Sequence, residues 1–332
     1  MRAAAGAWLA LAVLGAPAAP GLEVDPYLAW LADIPDSMDA LNGYVNAVLT
    51  GHLQMTVERR RRPAGCAEAA DGAMKRFHRS VFAGRRAIAF LKKSPDVVTW
   101  KGGSWMRAVR RSYYRRLPPL YVSSIAATVD LNGIRLSVDK VGHFFGFGRR
   151  YYRRYRRAVA AGATHEEAER AVVLWGIRKE NGFVGKKIDT IFSHADLEAN
   201  YQGFRFARNL CEGSSPYLVA DVDGDWELAR DVDLRDYVTP GFDEGYNGNH
   251  FTKLGWWLVR PELTVYCEIL DRPEVVTRLR YYDGFGGPSA SQRIVRAFFA
   301  ERGEGPQAAH SLTGLCGPSA MPGSMSLSLT PR

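Results

Sequence analysis

The stretch Ala127-Thr-Val-Asp-Leu-Asn-Gly-Ile-Arg-Leu-Ser-Val-Asp-Lys-Val-Gly-His143 changes its hydrophobic period part-way along. Asn132-Gly133 is the strongest two-residue turn signal, because both positions favour φ > 0. Folding the chain about that turn sets Leu131 against Ile134, Val129 against Leu136 and Ala127 against Val138, all on one face. Asp130 meets Arg135 on the other face, an opposite-charge cross-strand pair. The hairpin then hands over to a helix over about 140–160, for which Asp139 is the expected cap. Asp139 and His143, four residues apart, share one side of the first helical turns.

The flanking sequence reads as mostly helical. Pro35-Asp36-Ser37 caps a helix with Leu41, Val45, Val48 and Met55 near helical spacing. A second is expected over about 69–93, with Phe77, Val81, Ile88 and Leu91 inward and Ser94-Pro95 as its stop. Residues 105–116 read as amphipathic and basic. Ala163-Thr164 opens a helix that ends at Glu180, before Asn181-Gly182. Ser193-x-x-Asp196 resembles a capping box with Asp in place of Glu or Gln, and its helix runs to about Leu210. Asp223-Gly224 predicts a second hairpin with Val219 facing Leu228. Pro240 to Asn249 reads as a Gly-rich polar loop whose Asp243-Glu244 and Asn247, with His250, either border the His143 site or form a solvated turn, the commoner case. Trp256, Trp257, Val259, Leu263 and Val265 read as packed, and Ser291 as the start of a helix through Val295 and Phe299. The fold class is mainly α with small antiparallel β-hairpins (α+β).

The ends bound the compartment. Met1-Arg2, the apolar run Ala7 to Leu14 and Ala16-Pro-Ala18 read as a secretory signal peptide over residues 1–18. A helical extracytoplasmic domain is expected over 19–302, with its motif-bearing core at 119–212. A Gly-, Pro- and Ser-rich disordered tail is expected over 303–332. No later run is long and uncharged enough to span a bilayer. Cys66, Cys211, Cys267 and Cys316 lack a C-x-x-C pair, which argues against a zinc knuckle and for one or two disulfides, with three pairings open. The net charge is +9, carried largely by Arg runs such as Arg59 to Arg62 and Arg153-Arg154. In an exported chain these suit an anionic membrane surface or envelope glycan, with nucleic acid not expected; a solvated helix face explains them equally. The Tyr151-Tyr152 and Tyr155 stripe beside the Arg pairs fits a membrane-interface face or, more commonly, core packing.

Asp139, Lys140, His143, Glu180, Asp196 and Asn200 gather the ionisable and amide groups of a polar site. Asp196 and Asn200 repeat the four-residue spacing, and Gly203 on the same face permits a close neighbouring backbone. The order Asp139-Lys140-x-x-His143-Phe144, then Glu180, then Ser193-x-x-Asp196-x-x-x-Asn200-x-x-Gly203 resembles the VanZ-like pattern and that of small periplasmic lipoproteins. It covers about residues 120–210. VanZ-like proteins are membrane-embedded, whereas this segment is rich in Arg and Tyr. The resemblance implies no settled reaction.

Three uses of these residues fit. A structural network would fix helix registry. A divalent metal could take His143 with Asp196 or Glu180 oxygens. Alternatively, His143 could act as acid or base, oriented by Asp139 or Glu180, with Lys140 meeting an anionic substrate group. The first use belongs to an exported envelope-associated protein, and the other two to a hydrolase acting on an envelope lipid or glycan. No cofactor is named by any motif. His194 reads as an exposed first-turn residue. Asp221 to Asp225 fails the EF-hand pattern, with Trp226 and Val232 at the Gly and Glu positions, and reads as a turn.

Overall fold

The computed structural model describes residues 26–77, 85–117, 126–182, 191–303 and 312–316. The expected signal peptide lies outside them. Helix α1 (Pro26–Trp30) is short and largely buried. In α2 (Met38–Glu58) the inward stripe is Leu41, Val45, Leu49 and Leu53, an i,i+4 ridge that leaves Val48 half-buried. The single helix expected over 69–93 is two, α3 (Cys66–Arg76) and α4 (Arg85–Lys93). Phe77 ends α3 as a fully buried plug, and its carbonyl accepts the N–H groups of Arg86 and Ala87. Val81 lies outside the described residues. The basic segment divides into α5 (Trp105–Arg111) and a 3-10 turn at Tyr113–Arg116, which Ser112 opens by accepting the Tyr114 N–H at 3.1 Å.

Strands β1 (Thr128–Leu131) and β2 (Ile134–Ser137) pair in the register read from the sequence. Asn132 at φ 56° and Gly133 at φ 75° make the tight turn. Both faces of the hairpin are buried. Arg135 meets Asp130 at 3.2 Å and also donates to the Ile34 and Ala32 carbonyls at 2.9 Å, so the N-terminal segment closes over the charged face.

Helix α6 (Val138–Ala160) follows without a linker. Its N-cap is Ser137, not Asp139, and the Ser137 hydroxyl makes no cap bond. Asp139 sits inside the first turn, where helical backbone geometry rules out the cap role. Its carboxylate faces His143 instead. Helix α7 (His165–Glu180) opens with a full capping box between Thr164 and Glu167. After β3 (Ile191–Phe192), Ser193 caps α8 (His194–Asn209), accepting the Asp196 N–H at 3.1 Å. The reciprocal half of that box is missing because the Asp196 carboxylate binds Lys140.

Helices α6 and α8 form the central pair. A Cβ on Gly203 would lie 1.8 Å from the Phe144 carbonyl oxygen, and one on Gly148 would lie 2.5 Å from the Gly203 carbonyl carbon. Backbone therefore touches backbone, as the position of Gly203 predicts. Tyr151, Tyr152 and Tyr155 of α6 are core residues. Neighbouring arginines fold over this protein's own rings, with Arg154 4.2 Å from the centre of Trp175. The α6 stripe is therefore not an open interface.

Strands β4 (Leu218–Ala220) and β5 (Trp226–Leu228) pair Leu218 with Leu228 and Val219 with Glu227, one residue off the expected register. The turn holds five residues rather than two, because the Asp221 carboxylate accepts the N–H groups of Asp223 and Asp225. Strand β6 (His250–Phe251) pairs antiparallel with β3. Helix α9 (Lys253–Leu263), a 3-10 stretch at Thr264–Asp271, α10 (Pro273–Asp283), α11 (Ala290–Ala300) and α12 (Leu312–Cys316), the last within the segment expected to be a disordered tail, complete the described residues. Ser289, not Ser291, caps α11 through a capping box with Gln292, which frees Ser291 to be buried. Val259 and Leu263 are buried, but Trp257 and Val265 project outward at 71% and 70% exposure, contrary to the packed reading.

One apolar cluster lies among α2, α3, α6, α7 and α8. A second joins α1 and the Tyr113-Tyr114 turn to α9 and α10. Disulfides Cys66–Cys211 and Cys267–Cys316 staple α3 to the end of α8, and α12 to the turn after α9. Among the described residues, no helix is long and apolar enough to cross a membrane.

Candidate functional site

The close approach at Gly203 brings the first two turns of α6 against the first two turns of α8. Asp139, Lys140 and His143 face Asp196 and Asn200 across that seam. Glu180, the last residue of α7, accepts the Ser193 N–H at 3.1 Å and so reaches the start of α8. All six residues singled out in the sequence converge, and all are buried.

His143 is the hub. Its Nδ1 lies 3.0 Å from Asn200 Oδ1, so Nδ1 is the donor and Asn200 sets the ring orientation. Its Nε2 lies 3.3 Å from Asp139 Oδ2 and also 3.3 Å from Asp196 Oδ2. The imidazole stacks on Phe147, with ring centres 5.2 Å apart. Asp196 is divided between two partners, its Oδ1 taking Lys140 Nζ at 2.5 Å. Lys140 also meets Glu244. The side chains of Asp139, His143 and Asp196 each reach the surface with 10–12% of their area. Lys140 is sealed at 1% and so cannot meet a substrate directly.

The charges shift one another. Burial would push His143 down, but Asp196 and Asp139 outweigh it and hold the imidazole at about 9. Burial would raise Asp139, yet His143 and Lys140 keep its carboxyl below the usual range. Burial, with the nearby Asp196 charge, pushes Glu180 up to about 8, so it is protonated at neutral pH. Tyr151 is raised by burial and eased down by Asn200 beside it, although its hydroxyl makes no hydrogen bond of regular geometry.

The segment 240–249 is not solvated. Glu244 lies beneath Lys140, and Asp243 accepts from Trp30 Nε1 at 2.7 Å and from the Tyr282 hydroxyl at 2.9 Å. These partners lie 213 and 39 residues away, so no local signal marks Asp243 as buried. His194 is also buried, with Nε2 2.7 Å from His250 Nδ1. The β3–β6 pairing turns its ring inward, overriding the exposure expected of a first-turn residue.

Asp139, His143 and Asp196 offer one ligand atom each within 4.8 Å of one another. None of the protein-family models, curated proteins or solved structures compared with the chain matches it. The VanZ-like resemblance therefore stands on the spacing of the residues quoted above.

Proposed function

We propose that Asp139, His143 and Asp196 form a divalent-metal centre in an exported, envelope-associated hydrolase. The observation that carries this reading is the pair of equal 3.3 Å separations from His143 Nε2 to the two carboxylate oxygens. A single N–H cannot point at both oxygens, and charge-assisted N–H···O bonds close to about 2.7–2.9 Å. In a tetrahedral site with zinc bonds of about 2.0–2.1 Å, adjacent ligands stand about 3.3–3.4 Å apart. The Nδ1–H held by Asn200 is the outer-shell arrangement that presents Nε2 to a metal. Lys140 on Asp196 Oδ1 leaves Oδ2 as the ligand atom.

A divalent ion there would offset the Asp139 and Asp196 carboxylates that face His143. Three protein ligands leave a fourth position for water or substrate, the pattern of catalytic rather than structural zinc. The partial exposure of the same three side chains supports access to that position. The two disulfides and the apolar N-terminal run support an oxidising, extracytoplasmic setting, periplasmic or secreted. An envelope lipid or glycan is the substrate class that fits it.

Titration of the chelator-treated chain with zinc tests the centre. One ion per chain should bind, His143→Ala should abolish uptake, and Asn200→Ala should weaken it about 10- to 100-fold. Wild-type protein that takes up no metal, with hydrolysis of ester and glycoside probes indifferent to zinc, overturns the proposal. A second reading, a metal-free network that fixes α6 on α8, is favoured by the imidazolium state of His143. It requires that a chelator leave the unfolding temperature unchanged.

A further inference from the structure

We infer that the outer face of α9 and the turn after it docks onto an anionic lipid bilayer. Leu254, Trp257 and Val265 are exposed at 63%, 71% and 70%, and exposed Pro261 lies between the last two. Their spacing of three, four and four residues places them in one stripe, opposite the buried Val259 and Leu263. Solvent-facing large apolar residues aligned along α9 and onto the 3-10 turn that continues it mark an interaction surface rather than scatter. Trp is the residue whose ring settles at a membrane–water interface.

The flanking charge selects the lipid. Lys253 and Arg260 on the same helix are exposed. Arg115 and Arg116 are held beside α9 by the buried Glu262 carboxylate, each about half exposed. Glu268, three residues beyond Val265, ends the stripe. An apolar stripe with a Trp, bordered by cations, is the composition of a helix lying in the headgroup plane of an anionic leaflet. The second disulfide, Cys267–Cys316, falls beside this segment and pins it to α12. A chain whose His143 centre binds no metal would dock in the same way.

The test mixes the full chain with vesicles of phosphatidylglycerol and phosphatidylcholine, or of phosphatidylcholine alone, carrying brominated acyl chains. Sedimentation with the anionic vesicles and quenching of tryptophan emission are expected at low salt. Trp257→Phe should retain binding but lose a share of the quenching. Leu254→Ala with Trp257→Ala should weaken binding about tenfold, with thermal unfolding unchanged. Unchanged quenching in the Phe variant, or unchanged binding in the double variant, overturns the inference. A wild-type dimer in solution that the double variant dissociates also overturns it, assigning the face to self-association.

Discussion

Replacing Gly203 by Ala separates two effects that usually travel together. Ala favours a helix interior by about 1 kcal/mol over Gly. At position 203, however, the new Cβ would lie 1.8 Å from the Phe144 carbonyl oxygen and 2.6 Å from its carbon. Restoring ordinary contact near 3.4 Å requires α6 and α8 to part locally by about 1.6 Å. Both clashing atoms are backbone, so no rotamer change relieves them. Overpacking of this kind costs about 1–3 kcal/mol and sometimes more. The same displacement pulls Asn200 from His143 and Asp196 from Lys140, now 3.0 and 2.5 Å apart. The expected net loss is about 2 kcal/mol or more, read by chemical denaturation. Gly43→Ala is the control, because it lies exposed in α2 with no heavy atom within 4 Å of its added Cβ. It should stabilise by about 0.5–1 kcal/mol. Equal effects at the two positions would refute the close seam.

Asp243, fully buried, is pushed up to about 6 by that burial, against the hydrogen bonds from Trp30, Tyr282 and Gly245. The folded state thus holds this proton more tightly than the unfolded chain, and the contribution is full below about pH 4 and lost as pH rises through 6. About 3 kcal/mol should disappear across that window, and comparing the stability–pH curves of wild type and Asp243→Asn should isolate it. Removing Cys66–Cys211 frees a loop of 145 residues, worth up to about 5 kcal/mol on chain-entropy grounds; a calorimetric transition unmoved in the double-Ala variant would contradict this. Arg135→Met leaves Asp130 buried without its nearest cation, and should cost about 3–5 kcal/mol. Asp130→Asn added to that variant should recover part of the loss.

Elements whose pattern is local were legible. The Asn132-Gly133 turn fixed the register of β1 and β2, and the caps at Thr164 and Ser193 marked their helices. The repeat of four placed Asp139 with His143, and Asp196 with Asn200, on one helix face each, whereas bringing those faces and Glu180 together depended on how the helices pack, which spacing does not encode. Part of what failed had partners far along the chain. Segment 240–249 was open between a solvated turn and a border of the His143 site, and the favoured turn reading missed Trp30, Tyr282 and Lys140, which together draw it inward. Asp139 reads as a cap until His143, one turn later, competes for its carboxylate. Val219 slipped in register because Asp221 folds its own side chain into the turn, a side-chain effect that the Asp-Gly signal does not encode. Trp257 read as packed because hydropathy alone does not distinguish the two sides of α9.

The metal centre is tested most directly by anomalous diffraction at the zinc edge from crystals of the zinc-loaded chain. A single strong peak is expected about 2.0–2.2 Å from His143 Nε2 and from the facing oxygens of Asp139 and Asp196, with Asn200 still accepting from Nδ1. A His143 Nε2 facing both carboxylates with no peak between them at saturating zinc would contradict it.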